Sequence, residues 1–92
     1  MIKTIKHKGL RAFYEFGDSS AILTAHAKKL RLLLSWLDVA ESPKFINLPG
    51  LKCHPLKGKL KGYYSIWVSG NWRLVFRFHK CDVYDLDFLD YH

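Results

Sequence analysis

The sequence predicts an α+β domain in which two N-terminal helices pack on one face of a mainly antiparallel sheet. Three observations carry that reading. Leu23, Ala27, Leu30, Leu34 and Leu37 recur at alternating intervals of four and three residues, the spacing of one helical face. Three later runs, Tyr63 to Val68, Trp72 to His79 and Val83 to Asp90, are rich in aromatic and β-branched residues and alternate with the period of a strand. Helix signals thus precede strand signals, with Leu48-Pro49-Gly50 breaking the chain between them. At 92 residues with 49% hydrophobic content, the chain fits a single domain spanning positions 1–92.

In chain order, Ile2 to Ile5 alternates apolar and polar residues and suits a short first strand, followed by a turn at Lys8-Gly9. Leu10, Phe13 and Tyr14 are spaced for one face of a short helix, which Gly17 and Asp18-Ser19-Ser20 end. The long helix through Leu23 and Leu37 carries Lys28, Lys29, Arg31 and Ser35 on its other side, a stripe read first as a solvated face. Ser42-Pro43 can start one further helical turn. A short strand at Leu51 to His54 is expected beside the first long run.

Alternation also predicts a register, because a one-residue slip would turn an apolar face to water. Val68 opposite Trp72 and Phe78 opposite Tyr84 align the apolar residues, with three-residue loops at Ser69-Gly70-Asn71 and Lys80-Cys81-Asp82. Tyr64, Trp72, Phe76, Phe78, Tyr84, Leu86 and Phe88 are then expected to be core. Arg77 faces Asp85 as a cross-strand ion pair, and Arg73 falls between Trp67 and Leu89 on the face that the helices leave open.

Fifteen Lys and Arg against eight Asp and Glu give a formal charge of +7, an excess that favours polyanions and speeds encounter with nucleic acid. Cys53 and Cys81 lack any Cys-x-x-Cys spacing and are too few for a disulfide-stapled secreted fold, so a reducing cytoplasm is expected. Cys53 with His54, and His79 with Cys81, match no familiar zinc spacing, and no metal or cofactor is expected. The N-terminus does not read as a signal peptide, and no apolar run is long enough to cross a bilayer, so no membrane association is expected.

Two features converge on Arg73: the basic loop H-P-L-K-G-K-L-K-G at 54 to 62, and Asp90-Tyr91-His92, where the sequence ends. Both are expected to reach it if the strand at 51 to 54 pairs with that at 63 to 68. Cleaving RNA at a phosphate needs a base for the ribose 2′-hydroxyl, cations for the crowded phosphorane and an acid for the departing 5′-oxygen. His54 and His92 are the natural proton carriers. Arg73 can hold two phosphate oxygens, and Lys57 acts as a point charge. Asp90 could orient a histidine, and Tyr91 could bond the phosphate or stack on a base. Lys59, Lys61 and Trp67 are candidates for RNA contact. His7, His26 and His79 have no comparable setting and read as surface or helix-face histidines.

The opening M-I-K-x-x-K-H-K-G-L, the central H-P-L-K-G with G-Y-Y-S-I-W-V-S-G-N-W-R-L-V-F-R-F, and the closing D-Y-H resemble the HigB branch of the RelE/ParE toxins over nearly the whole chain. The region from Phe16 to Pro49 matches more loosely. The resemblance implies a RelE-like fold and a toxin of a type II toxin-antitoxin system. It implies a metal-independent endoribonuclease that cuts messenger RNA in the A site of the 70S ribosome. It further implies silencing by a HigA-like helix-turn-helix antitoxin, through which the complex would bind operator DNA. The family's active-site positions correspond to His54, Lys57, Arg73, Asp90, Tyr91 and His92. Two other classes compete: a ParE-like inhibitor of DNA gyrase, and a non-catalytic RNA-binding module. Neither accounts for a proton-transfer group in the final tripeptide.

Overall fold

The computed structural model describes residues 1–42 and 53–90. Two helices, α1 (Lys8–Phe16) and α2 (Thr24–Val39), precede four strands, β1 (His54–Pro55), β2 (Tyr63–Ser69), β3 (Trp72–His79) and β4 (Asp82–Asp90). The strands form one sheet in the order β1-β2-β3-β4, antiparallel throughout. One hydrophobic cluster takes in Leu10 and Phe13 of α1, Leu30, Leu34 and Leu37 of α2, and Ile66, Leu74, Phe76 and Leu86 of the sheet. The α+β architecture expected from the sequence is therefore the one observed, with the core between the helices and one face of the sheet.

The expected first strand is an extended edge tied to β4 by two isolated parallel bridges, Ile2 with Val83 and Ile5 with Leu86. Asp85 interrupts it: that residue has a positive φ of 53°, and its N–H donates to Thr4 Oγ1 at 2.7 Å instead of to a backbone carbonyl. Lys8-Gly9 is no turn but the start of α1, because His7 Nδ1 accepts the Leu10 N–H at 3.0 Å and caps the helix. Gly17 ends α1 as expected, in the left-handed region at φ 71°.

In α2 the buried stripe runs through His26, Leu30, Leu33, Leu34 and Leu37. Leu23, expected to open it, is exposed at the helix N-cap. His26 is not on the surface: it is buried, edge-on to Trp72 at 5.5 Å and to Phe88 at 5.7 Å. The expected helical turn at Ser42-Pro43, the break at 48–50 and most of the strand expected at 51–54 lie outside the described residues; β1 itself starts at His54.

β3 has the boundaries the alternation predicts, but two irregularities change its register. Trp72 faces Ser69 rather than Val68, across a shift between Trp67 and Ser69. On the other side Phe78 faces Val83, and Tyr84 faces Arg77, because the chain shifts between Val75 and Arg77 around Asp85. An extra residue in one strand turns every side chain beyond it to the opposite face. Val83 is accordingly core, whereas Tyr84 leaves the apolar face. Both hairpins are tighter than expected, with Gly70-Asn71 and Lys80-Cys81 between strand ends. Lys80 and Cys81 both have positive φ, 52° and 76°, as a two-residue hairpin turn requires.

Candidate functional site

Arg73 stands between Trp67 and Leu89 on the open face, in the register the sequence predicts. Its Nη1 is buried and has no hydrogen-bond partner among the described residues. A buried guanidinium N–H without an acceptor is costly. An anion that supplied oxygens to it would relieve that cost, and phosphate matches the guanidinium fork.

Trp67 is held from both sides. Its Nε1 donates to Gly70 O at 2.9 Å, while Lys29 Nζ lies 4.2 Å from the ring centroid. The same ammonium donates to Val68 O at 2.7 Å. Lys29 is thus no solvated member of the α2 stripe; it reaches the sheet, and burial pushes its pKa below the ordinary lysine value. Helix α2 is thereby clasped to the β2–β3 hairpin beside Arg73.

A second row on the same side of the sheet runs His54, Ser65, Val75 and Asp87 across the four strands, with Ser65 and Val75 buried and His54 exposed. From strand spacing and rise, the His54 and Arg73 Cα atoms are about 12 Å apart, within mutual reach of an imidazole, a guanidinium and a bound phosphodiester. The expected pairing of β1 with β2 exists, but its direction takes the following loop away from Arg73. The chain leaves β1 after Pro55, makes a 3₁₀ turn at Gly58–Leu60 and re-enters the sheet at Tyr63, opposite Arg77. The backbone carrying Lys57, Lys59 and Lys61 therefore lies toward the Arg77 end.

Asp90 stands opposite Trp72, next to Arg73 along the sheet end but in register with the helix-covered side. Tyr91 and His92 lie outside the described residues. Arg77 and Asp85 form the expected ion pair, with Nε to Oδ2 at 2.7 Å. Among the described residues no group of three or more His, Cys, Asp or Glu gathers as a metal site. Cys53 and Cys81 form no disulfide, and burial pushes the Cys53 thiol pKa up.

These features define a class: a small basic α+β domain with helices on one sheet face and, on the other, an arginine whose buried Nη1 has no partner among the described residues. Residues 3–92 match the family model described as the RelE-like toxin of type II toxin-antitoxin system HigB. The chain belongs to this HigB-like toxin family, and a toxin of such a system has an antitoxin as its partner. It is 40% identical over 92 residues to the Endoribonuclease HigB of Proteus vulgaris, covering the whole of both chains. Its fold is similar to the crystal structure of a YafQ mutant from E. coli, with a TM-score of 0.61, 21% identity, and coverage of 95% of this chain and 87% of that one.

Proposed function

We propose that this toxin is a metal-independent endoribonuclease that cuts messenger RNA in the ribosomal A site and so inhibits translation. The observation that carries the reading is Arg73, on the open side of a protein with a formal charge of +7, whose buried Nη1 has no hydrogen-bond partner among the described residues. The family and the activity named for the Proteus vulgaris relative support it.

In this mechanism the guanidinium of Arg73 holds the non-bridging oxygens of the scissile phosphate and stabilises the charge that grows as the ribose 2′-oxygen attacks. The P–O5′ bond breaks as the P–O2′ bond forms, leaving a 2′,3′-cyclic phosphate on one fragment and a 5′-hydroxyl on the other. His54 and His92 divide the two proton transfers, one accepting from the 2′-hydroxyl and one donating to the departing 5′-oxygen. Lys57 adds positive charge, Asp90 orients an imidazole, and Tyr91 bonds the phosphate or stacks on a base. Trp67, Lys59 and Lys61 contact RNA outside the reacting linkage. The toxin works in the cytoplasm and is silenced by a HigA-like helix-turn-helix antitoxin, through which the complex binds operator DNA. Among the described residues no helix is long and apolar enough to cross a membrane.

The test is induction of wild type, Arg73→Ala and His92→Ala, with transcript ends mapped and folding checked by circular dichroism. Expected are cyclic or 3′-phosphate ends with the wild type, and loss of cleavage and of growth arrest with both folded variants. Full cleavage by folded variants would refute the site. A DNA-damage response without cut transcripts would point to gyrase, and ribosome binding without turnover to a non-catalytic module.

A further inference from the structure

The bulge at Asp85 has a chemical result beyond register. By turning Tyr84 off the apolar face it completes a row on the open side, Tyr63 of β2, Arg77 of β3 and Tyr84 of β4. That row is two steps along β3 from Arg73, about 13 Å at the rise of a strand. Beside it is an open cleft of about 470 Å³ lined by Lys61, Gly62, Arg77, Phe78, His79 and Tyr84.

We propose that this cleft is a second RNA-binding subsite, which stacks an unpaired nucleobase on Tyr84 and holds the adjoining phosphate on Lys61. The proposal rests on the ribonuclease reading and extends it to nucleotides away from the scissile bond. Four observations support it. First, the Tyr84 ring is braced edge-on by His79 at a centroid distance of 6.4 Å, which holds the phenol in place for stacking. Second, Asp85 fixes the Arg77 guanidinium through its Nε, so Arg77 serves as a planar, locally neutralised wall rather than the phosphate clamp. Third, Lys61 is exposed and makes no ion pair among the described residues, and it stands on the loop whose lysines lie at this end of the sheet.

Fourth, the local charge is positive. Lys6 and Lys61 stand beside the row, while Asp85 is matched by Arg77 and Asp82 by the N-terminal ammonium at 3.4 Å. The backbone yields as well: Gly62 has a φ of 95° and a Cβ there would meet nothing within 4 Å, so the cleft is open on that side. A purely structural role would leave Tyr84 where alternation assigns it, in the core. Instead a bulge leaves it half-buried at the cleft beside cations, and bulges are favoured next to working sites.

The bound RNA has two sources, the messenger itself or the ribosomal RNA around it, and the experiment separates them. Binding of a fluorescent single-stranded 2′-O-methyl oligonucleotide, which cannot be cut, is measured by anisotropy for wild type, Tyr84→Ala, Tyr84→Phe and Lys61→Ala. In parallel, a photo-crosslinking side chain at position 84 is activated on messenger-programmed ribosomes and the attached RNA is sequenced. We expect about tenfold weaker binding for Tyr84→Ala, within the range for loss of one stacked base, and binding within about twofold of wild type for Tyr84→Phe. Lys61→Ala should weaken binding and flatten its salt dependence. A crosslink to messenger or to ribosomal RNA supports the subsite and names its source.

Unchanged oligonucleotide binding by folded Tyr84→Ala, together with no crosslink to either RNA, overturns the proposal. The readouts do not require cleavage, so failure of the ribonuclease reading, seen as full activity of Arg73→Ala, is recorded separately.

Discussion

The Tyr14 hydroxyl lies 2.7 Å from both carboxylate oxygens of Asp38, and that same carboxylate accepts the Ile2 N–H at 2.9 Å. One acid thus joins α1, α2 and the N-terminal edge of the sheet. Burial, then the hydrogen bond to Asp38, raises the Tyr14 pKa from 10.0 to about 12. Because the folded value exceeds the unfolded one, the native state keeps its proton longer, and stability falls as pH rises from 10 toward 12. Tyr14→Phe should cost about 1–2 kcal/mol at neutral pH, given the worth of a hydrogen bond to a charged group. It should also shrink the alkaline loss, and urea titrations of both proteins across that range measure the two effects together.

Gly9→Ala should destabilise, although alanine is the better helix former by about 1 kcal/mol. A Cβ at Gly9 would meet Ala21 Cβ at 2.6 Å, and Ala21 has no flexible end to swing away. Shifting the α1–α2 connection should outweigh the propensity gain and leave a net loss of about 1–2 kcal/mol, read from the urea midpoint. Greater stability in the variant would mean that the connection yields freely.

Removing the clasp with Lys29→Met would leave Val68 O without its donor and Trp67 without its cation. A loss of about 1–2 kcal/mol is expected. Amide exchange should localise the loosening to the hairpin around Ser69 and Gly70. Uniform loosening of the whole sheet would instead assign Lys29 a general packing role.

Arg73→Met should separate stability from activity. It removes a buried Nη1 that has no acceptor among the described residues, so the variant should be as stable as wild type or more stable by about 1 kcal/mol. RNA cleavage should fall at least about 100-fold, the usual effect of deleting a donor that meets transition-state charge. Arg73→Lys should restore only part of it, because an ammonium cannot reproduce the fork.

The reasons for agreement and disagreement with the sequence are local. β3 is legible from end to end because its alternation is unbroken, and the pairing of Arg73 with Trp67 and Leu89 follows from it. β4 misleads because Asp85 is an extra residue that no glycine or proline marks, so alternation carried Tyr84 into the core on paper. His26 is polar by type yet sits inside, where two aromatic rings receive its edge; spacing four residues before Leu30 was the signal. Lys29 reads as a surface charge because nothing in a linear pattern reveals that its amine meets a carbonyl 39 residues away. For the candidate site, residue types and motif order were legible. The sequence-based expectation puts the loop after β1 at the wrong end, although an antiparallel hairpin must close at the start of its second strand, here Tyr63 opposite Arg77.

The parallel bridges from Ile2 to Val83 and from Ile5 to Leu86 join the earliest part of the chain to its last strand. The Ile2 N–H meets Asp38 of α2, but the sheet bonds of this leading edge are made only with β4. A chain cut before Asp82 would leave both bridges unmade and Arg73 without Leu89 beside it. Formation of β4 therefore seals the first edge and flanks the Arg73 guanidinium in one step.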